Sequence, residues 1–446
     1  MEITDVLSAP HSLSFGNSLV SPSQVFEFGF FTTKNSSNNF TYLGIWFKNL
    51  DRSPKPIWIA NRNNPITGMI GTLVVKKDSR VLLYNGCGNQ VQDSIIWFIN
   101  PKRKAISPSL QLLDSGNLVL IDKNGDDPDG LYLWESFDHP TNVFLSGMKL
   151  KTGLQRRITA WKSDDDPSVG DYSFGLEQPE TGELVLRNGS DIISRWGLWD
   201  EKSFNFSDYS NPIFQPVFVS NNHLEVYFLF KSTHLMFLIN PHGQIQYLKW
   251  SKQIKKWETI MSLPNDSCDE YSRCGPNKNC YITDNGEPEC RCLDGFEEKS
   301  NGCERKWEVK GCGEGDWFVK VGNVKLPDKG RMMRMEDEEE GCQEACLKNC
   351  SCTGYAEVDV GGKGNECVFW AGDLFDLRNY PLGGHDIFVR MAKQQLDHGK
   401  RELVKWKKVI AIVVPTVCGI LLIGIIAWYI IPKLIAFGRE VANAMC

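Results

Sequence analysis

The sequence predicts a mainly β protein, in which two β-rich domains precede a cysteine-rich region and one membrane-spanning helix. Short runs of aromatic and β-branched residues, separated by Gly, Asn, Asp and Pro, fill the first 262 residues. Twelve of the fifteen cysteines lie between Cys268 and Cys367. Near the C-terminus, 23 residues from Val409 to Ile431 carry no charge.

Residues 4–140 form the first predicted domain. Its short apolar runs recur at nearly regular spacing and show no 3.6-residue period, which favours an all-β barrel or prism over βαβ units. One hairpin turn is visible in LLDSGNLVL, where Asp, Ser, Gly and Asn separate two apolar runs. The predicted strands lie in VFEFGFF, YLGIWF, PIWIANR, GTLVV, RVLLY, SIIWF, LQLLDSGNLVLI and YLWESF.

Residues 141–262 form a second β-rich block, with strands expected in ITAWKSDDDPSVGDYSFGL, GELVLRNG, SRWGLWD, LEVYFLF, HLMFLINPHGQIQYLKWS and KKWETIMSLP. The acidic triplet Asp164 to Asp166 precedes Pro167 and reads as a polar turn. The alternative is a set of Ca²⁺ ligands, because carboxylates suit that ion.

The density of cysteines that follows is typical of disulfide-stapled modules outside the reducing cytosol. The first six follow the pattern C-x5-C-x5-C-x9-C-x-C-x10-C, which is EGF-like spacing; spacing alone leaves fifteen pairings open. A zinc site is the weaker alternative, because the segment has no histidine and no C-x2-C pair. These cysteines are Cys268, Cys274, Cys280, Cys290, Cys292 and Cys303.

The second six cysteines are Cys312, Cys342, Cys346, Cys350, Cys352 and Cys367. Cys342 and Cys346 are four residues apart, so a short helix would carry both on one face, from which two bridges can reach a sheet. The acidic run Glu336 to Glu340 is expected to cap that helix, because carboxylates complement the positive end of its dipole. A docking face for a basic ligand is the alternative.

The uncharged run 409–431 is long enough to cross the ~30 Å hydrocarbon core at 1.5 Å per residue, and Pro432 is expected to end it. Residues 393–408 then form a polar juxtamembrane linker, and 432–446 a short tail. The N-terminus shows no basic and apolar secretory signal. Lysines and arginines before the span would by themselves place the N-terminus in the cytoplasm.

Two features argue for the opposite orientation, with the N-terminus outside. The clustered cysteines require the secretory route. Six N-x-S/T sequons also precede the span, although one has Cys350 in its middle position and is a poor acceptor. The sequons are at Asn35, Asn39, Asn188, Asn205, Asn265 and Asn349.

Several motifs resemble plant S-locus glycoproteins and G-type lectin receptor kinases, in family order over nearly all of residues 4–392. GNSLVSPSQVFEFGFF, WIANRNNPI and LWESFDHPTNVFLSGMKL resemble the bulb-type lectin domain, and TAWKSDDDPSVGDYSFGL resembles the S-locus segment. CDEYSRCGPNKNC resembles the EGF-like module, and GCQEACLKNCSCTGYAEV the PAN/apple module. The resemblance implies two tandem bulb-lectin-like β-prism domains, an EGF-like module at 265–304 and a PAN/apple module at 312–392.

The resemblance also implies disulfide pairings. The EGF-like pattern implies Cys268–Cys280, Cys274–Cys290 and Cys292–Cys303. The apple pattern implies Cys342–Cys367 and Cys346–Cys352, with Cys312–Cys350 as the remaining pair. Cys87, Cys418 and Cys446 are left unassigned.

Mannose-binding bulb lectins carry the motif Q-x-D-x-N-x-V-x-Y, and two positions of this chain match it in part. One runs Leu113, Ser115, Asn117, Val119, Ile121 and keeps only Asn117 and Val119. The other runs Lys76, Asp78, Arg80, Leu82, Tyr84 and keeps only Asp78 and Tyr84. A site built from several polar contacts loses most of its affinity when two or three are gone, so Asn117 and Asp78 are expected to serve as turn residues.

The resemblance implies a single-pass plasma-membrane receptor with its N-terminus outside the cell. Its ligand would be a small cysteine-rich peptide, as in pollen recognition, or a glycan or lipid-like molecule, and it would pair with itself or related receptors. Full-length relatives carry a serine/threonine kinase, whose motifs are absent here, so this chain is not expected to be an enzyme or to hold ATP, another cofactor or a catalytic metal. The mild net charge of −6 gives no argument for nucleic acid.

Two other functions are compatible with the sequence: a true mannose-binding lectin, and a fragment of an active receptor kinase. Glycan binding would distinguish the first, and a longer transcript the second.

Overall fold

The computed structural model describes residues 4–33, 40–50, 55–86, 94–101, 103–125, 132–151, 157–177, 183–197, 214–220, 224–230, 232, 234–300, 302–306, 315–334, 341–358, 366–381, 383–392, 411, 413–425, 428–435 and 437. The described elements are mainly β, as the sequence predicts.

Three antiparallel sheets build the first domain, and its first three strands each join a different one. The sheet orders are β1-β11-β12-β13, β10-β9-β8-β2 and β3-β4-β5-β6, with β7 paired to β5. This is a three-sided prism. The strands are β1 (Val6–Ser8), β2 (Ser12–Ser14), β3 (Ser18–Val20), β4 (Phe26–Thr33), β5 (Phe40–Phe47), β6 (Pro56–Ile59), β7 (Ile66–Thr67), β8 (Thr72–Val75), β9 (Val81–Tyr84), β10 (Ile95–Ile99), β11 (Pro108–Leu112), β12 (Leu118–Asp122) and β13 (Trp134–Glu135), followed by a 3₁₀ turn at Ser136–Asp138.

Three tryptophans, one from each sheet, meet inside this prism. Trp58, Trp97 and Trp134 make edge-to-face contacts, and each pair of ring centroids is 5.9 Å apart. Edge-to-face packing is a favoured geometry for aromatic rings. The three sheets are therefore joined at one shared aromatic contact.

The second domain repeats this plan. Its first three strands again enter three different sheets, with orders β14-β22-β23-β24, β15-β21-β20 and β16-β17-β18-β19. Two tandem prisms are thus present. The strands are β14 (Val143–Phe144), β15 (Lys149–Lys151), β16 (Ile158–Ser163), β17 (Asp166–Glu177), β18 (Glu183–Asn188), β19 (Asp191–Trp196), β20 (Phe214–Ser220), β21 (Leu224–Phe230), β22 (Leu235–Ile239), β23 (Ile245–Ser251) and β24 (Lys256–Leu263).

Arg62 of the first prism reaches the β16–β17 hairpin of the second. Its guanidinium donates to the carbonyl oxygens of Pro167 and Ala160, both at 2.8 Å, and to Thr159 Oγ1 at 2.8 Å. The planar fork of an arginine can serve several acceptors at once. These bonds hold the two prisms together.

The cysteine-rich region shares one sheet across its two predicted modules. The eight-stranded sheet has the order β26-β25-β33-β29-β34-β31-β32-β30, and β25 runs parallel to β33, pairing Cys280 with Arg378. Elements here are a 3₁₀ turn (Ser267–Asp269), β25 (Lys278–Ile282), β26 (Pro288–Cys292), β27 (Phe296–Lys299), β28 (Gly302–Arg305), β29 (Trp317–Lys325), β30 (Arg331–Arg334), α1 (Cys342–Lys348), β31 (Cys352–Val358), β32 (Glu366–Ala371), β33 (Leu377–Asn379) and β34 (His385–Met391).

Five disulfides are present among the described residues, and they are pairs that the family resemblance implies. Cys342 and Cys346 are buried on α1 and bridge it to β32 and β31. Cys350 is disulfide-bonded, while Cys312 lies outside the described residues. The bridges are Cys268–Cys280, Cys274–Cys290, Cys292–Cys303, Cys342–Cys367 and Cys346–Cys352.

One helix in the described part of the chain is long and apolar enough to cross a membrane: α2 (Val413–Ile435). The helix extends four residues past Ile431, where the predicted span 409–431 ends, and Pro432 lies within it. Lys433 Nζ lies 4.2 Å from the ring centroid of Tyr429, the i,i+4 contact of a continuing helix. Membrane helices tolerate proline because local adjustments satisfy the freed carbonyl.

Candidate functional site

The first sugar-motif position is occupied by contacts within the fold. Asn117 Nδ2 donates to Glu135 Oε2 at 2.8 Å, and Asn117 Oδ1 accepts from Ser136 Oγ at 3.0 Å and from the Phe137 amide at 3.1 Å. Val119, the residue that would pack on a sugar ring, is fully buried. Asn117 therefore does more than form a turn, because it joins β12 to the segment that follows β13.

The second sugar-motif position is a turn tied to an arginine. Asp78 accepts from the Arg80 amide at 3.2 Å and from Arg80 Nε at 2.8 Å. The side-chain hydrogen bond from Arg80 is the main reason that the pKa of Asp78 is lowered. Tyr84 is half-buried, and Lys76 Nζ lies 5.7 Å from its ring centroid. The two residues that match the motif thus already have partners in the protein.

The acidic triplet is a hairpin turn. Asp164 and Asp165 lie between β16 and β17, and Asp166 Oδ1 accepts from the Ser168 amide at 3.0 Å. In the part of the chain that the structure describes, one group of side chains has ligand atoms close enough to share a metal ion: Cys274, Cys280 and Cys290, whose sulfur atoms lie within 4.8 Å of one another. All three are in disulfides, so they offer no thiolate to a metal.

A buried cluster of charges joins the second prism to the cysteine-rich region. Arg195 donates to Glu183 Oε1 at 2.9 Å, to Asp376 Oδ2 at 3.1 Å and to the Leu326 carbonyl at 2.6 Å. Lys325 Nζ lies 3.0 Å from Asp376 Oδ2. Two basic and two acidic side chains, all almost completely buried, therefore pair with each other at this junction.

Electrostatics within this charge cluster keep Arg195 protonated. Burial by itself lowers the pKa of Arg195, but the carboxylates of Glu183 and Asp376 outweigh it, and the net direction is upward. Asp376 also accepts from the Ser272 amide at 3.0 Å, and its backbone is left-handed, with φ 65°. Asp376 thus contacts three parts of the chain: the second prism, the EGF-like segment and the apple module.

A second buried contact lies beside the first. Arg378 on β33 pairs with Asp266 at 2.6 Å and with Asp269. The Tyr271 hydroxyl donates to Asp328 Oδ2 at 2.5 Å. Because side chains of the EGF-like segment are paired with the apple module, these two modules are fixed to each other as well as sharing a sheet.

Sequence reasoning missed this charge cluster. Arg195 and Asp376 are 181 residues apart, and no local pattern marks either as buried. Charged residues are almost never fully buried unless they are paired, so their burial is visible only once the fold is known.

The sequons, the unassigned cysteines and the acidic run are only partly covered by the described residues. Asn188, Asn265 and Asn349 are exposed, and Asn349 Oδ1 accepts from Ser351 Oγ at 2.8 Å. Cys418 is a free, exposed thiol on the apolar helix. Asn35, Asn39, Asn205, Cys87, Cys446 and the acidic run 336–340 lie outside the described residues.

Comparison with known families agrees with this architecture. Residues 56–162 match the D-mannose binding lectin family, residues 194–300 the S-locus glycoprotein domain and residues 312–377 the PAN-like domain. These matches cover part of both prisms and most of the EGF-like segment and of the apple module.

Individual relatives extend over most of the chain. The S-locus-specific glycoprotein S6 of Brassica oleracea is 36% identical over 88% of this chain and 92% of its own length. The receptor-like serine/threonine-protein kinase SD1-8 of Arabidopsis thaliana is 37% identical over 90% of this chain and 48% of its own. This chain thus spans about half the length of that kinase. It belongs to the family of S-locus glycoproteins and related S-domain receptor kinases.

Proposed function

We infer that this chain is the ectodomain and membrane anchor of an S-domain receptor, and that it recognises an extracellular ligand through protein-type surfaces. Its N-terminal part would lie outside the cell, at the plasma membrane. The disulfides, the exposed sequons at Asn188 and Asn265 and the apolar helix support this orientation.

The observation that carries the ligand class is the state of the sugar-motif residues. The Asn117 amide is bonded to Glu135, Ser136 and Phe137, and Val119 is buried. A sugar would have to displace these bonds, and the displaced buried groups would each cost about 1–3 kcal/mol if left unpaired. Such losses outweigh what the few remaining contacts could supply. This favours a protein or peptide ligand over mannose.

The rigid junction at Asp376 supports a receptor role. Buried charges fix the second prism, the EGF-like segment and the apple module to one another. A ligand that binds any one of them would therefore bind a single unit above the membrane. By family resemblance, the ligand would be a small cysteine-rich peptide, and signalling would involve pairing with related receptors. Kinase activity would belong to such a partner or to a longer product.

Titration of the full chain in lipid nanodiscs with methyl α-mannoside, followed by calorimetry, tests the ligand class. We expect no measurable heat, whereas a mannose-binding bulb lectin, run in parallel, gives a saturating curve. A saturable heat that disappears in an Asn117→Ala variant would show a working sugar site and overturn the proposal.

A further inference from the structure

The outer face of the sheet β10-β9-β8-β2 is apolar where a bulb lectin would carry its second sugar site. Phe98 is 61% exposed and Ile95 is 52% exposed. A register shift between Ile95 and Trp97 places Ile95 opposite Tyr84 and Phe98 opposite Leu82, so both point to the same face as the motif residues. Val74, opposite Leu82, continues the row. Val74, Leu82, Tyr84, Ile95 and Phe98 are named the apolar patch.

This patch lies at the edge of its sheet. Among the described residues β10 pairs with β9 alone, and it is the outermost strand. The strand Ile95–Ile99 contains no charged residue. Natural proteins usually protect an edge strand with charge or proline, because its free backbone groups can pair with another chain. An uncharged edge with two exposed apolar side chains is therefore ready to accept an added strand.

The rim of the apolar patch is basic. Lys76 lies over the Tyr84 ring at 5.7 Å, and Lys77 and Lys104 are exposed. Lys104 lies near the turn between β8 and β9, because the amide of its neighbour Ala105 donates to Ser79 Oγ at 2.7 Å. The nearby carboxylate of Asp78 is already paired with Arg80, so the lysines leave the rim with a net positive charge.

We propose that the apolar patch docks an extended, acidic segment of a partner protein, which adds a strand to the edge of β10 that no described strand occupies. Backbone bonds to β10 would hold the segment, its apolar side chains would pack on Phe98 and Ile95, and its carboxylates would meet Lys76 and Lys77. A second copy of this chain fits less well, since pairing through the same edge brings the same lysines and no opposite charge.

The proposal rests on the proposed function, because it names a surface and a partner chemistry for that receptor. A suitable probe is a short synthetic peptide of alternating valine and glutamate, labelled for fluorescence anisotropy, with the full chain in nanodiscs. The matched probe replaces glutamate by lysine. We expect the acidic peptide to bind, with slower amide exchange in residues 95–99, and the basic peptide not to bind.

Variants locate the binding. Phe98→Glu is expected to weaken the acidic peptide by about tenfold or more, and Lys76→Glu by about three- to tenfold, with the second effect lost at high salt. Met69→Glu is the control, because Met69 is 59% exposed on the same domain and outside the apolar patch. Equal thermal unfolding of the variants would show that they fold alike.

Three results would overturn the proposal: absence of acidic-peptide binding, equal binding by Phe98→Glu, or equal binding of the basic peptide. Dimers of the chain in nanodiscs that disappear in Phe98→Glu would also overturn it, in favour of a second copy. None of these results changes the expected outcome of the mannose titration, which tests the proposed function. Failure of the docking surface and failure of the proposed function are therefore distinguishable.

Discussion

Replacing Asp376 by asparagine tests whether the buried charge cluster holds the junction together. Asn keeps the size of the side chain and adopts left-handed backbone almost as readily, so the φ of 65° adds little cost. What changes is the charge. Arg195 then keeps its pair with Glu183, whereas Lys325 loses the carboxylate with which it pairs.

The size of the effect follows from burial. Arg195, Lys325 and Asp376 each have side chains only 1–2% exposed, so solvent does not screen the loss. Removing one partner of a buried pair typically costs ~3–5 kcal/mol, because an uncompensated charge remains inside. At 1.36 kcal/mol for each factor of ten, protection against amide exchange should fall by about a hundredfold to several thousandfold.

Native-state hydrogen exchange is the suitable assay, because a chain of several modules need not unfold in one step. The control is Asp386→Asn, which breaks the Lys320–Asp386 pair at 2.6 Å, where both side chains are about half exposed. That loss should cost at most ~1 kcal/mol. The amides of β18, β19 and β33 should lose protection in Asp376→Asn only. Equal losses in both variants would refute the role of the charge cluster.

Two further predictions concern the loss of stability at low pH and the removal of single disulfides. Burial raises the pKa of Glu177, but hydrogen bonds from Arg187 and Arg157 outweigh burial, and the net pKa is lowered. The ionised Glu177 therefore stabilises the folded protein fully above the unfolded-state pKa of about 4.3. This contribution is lost as the pH falls through the pKa of the folded state. Glu177→Gln should therefore lower the melting temperature at pH 7 but not at pH 2, and an equal deficit at both pH values would contradict this. Removing the Cys342–Cys367 bridge, which spans 25 residues, should cost about 1 kcal/mol more than removing Cys346–Cys352, which spans 6. Denaturant unfolding of the two double-serine variants checks the order, and the reverse order would contradict the loop-entropy argument.

Local features were predictable from the sequence because they depend on neighbouring residues. All of VFEFGFF except its first residue lies within β4, YLGIWF lies within β5, and the LLDSGNLVL turn joins β11 to β12. The short helix beneath Cys342 and Cys346 follows from their spacing of four, which places both on one face.

Contacts between distant segments were not predictable in the same way. The parallel pairing of β25 with β33, which merges two modules into one sheet, involves residues about a hundred positions apart. The exposure of Phe98 depends on a register shift in β10, and SIIWF alone reads as an ordinary buried strand. The helix continues past Pro432, and proline is tolerated in membrane helices because local adjustments satisfy the freed backbone groups.

Membrane orientation is the property on which the receptor assignment depends most directly. Lysines and arginines before the apolar helix favour a cytoplasmic N-terminus, whereas the disulfides and sequons need the opposite side. Intact plant cells that express the full chain can be labelled with a membrane-impermeant amine reagent, and the chain then treated with N-glycosidase. We expect surface labelling and a mobility shift that is reduced by Asn188→Gln with Asn265→Gln. Labelling only after permeabilisation, with no shift, would contradict an extracellular receptor.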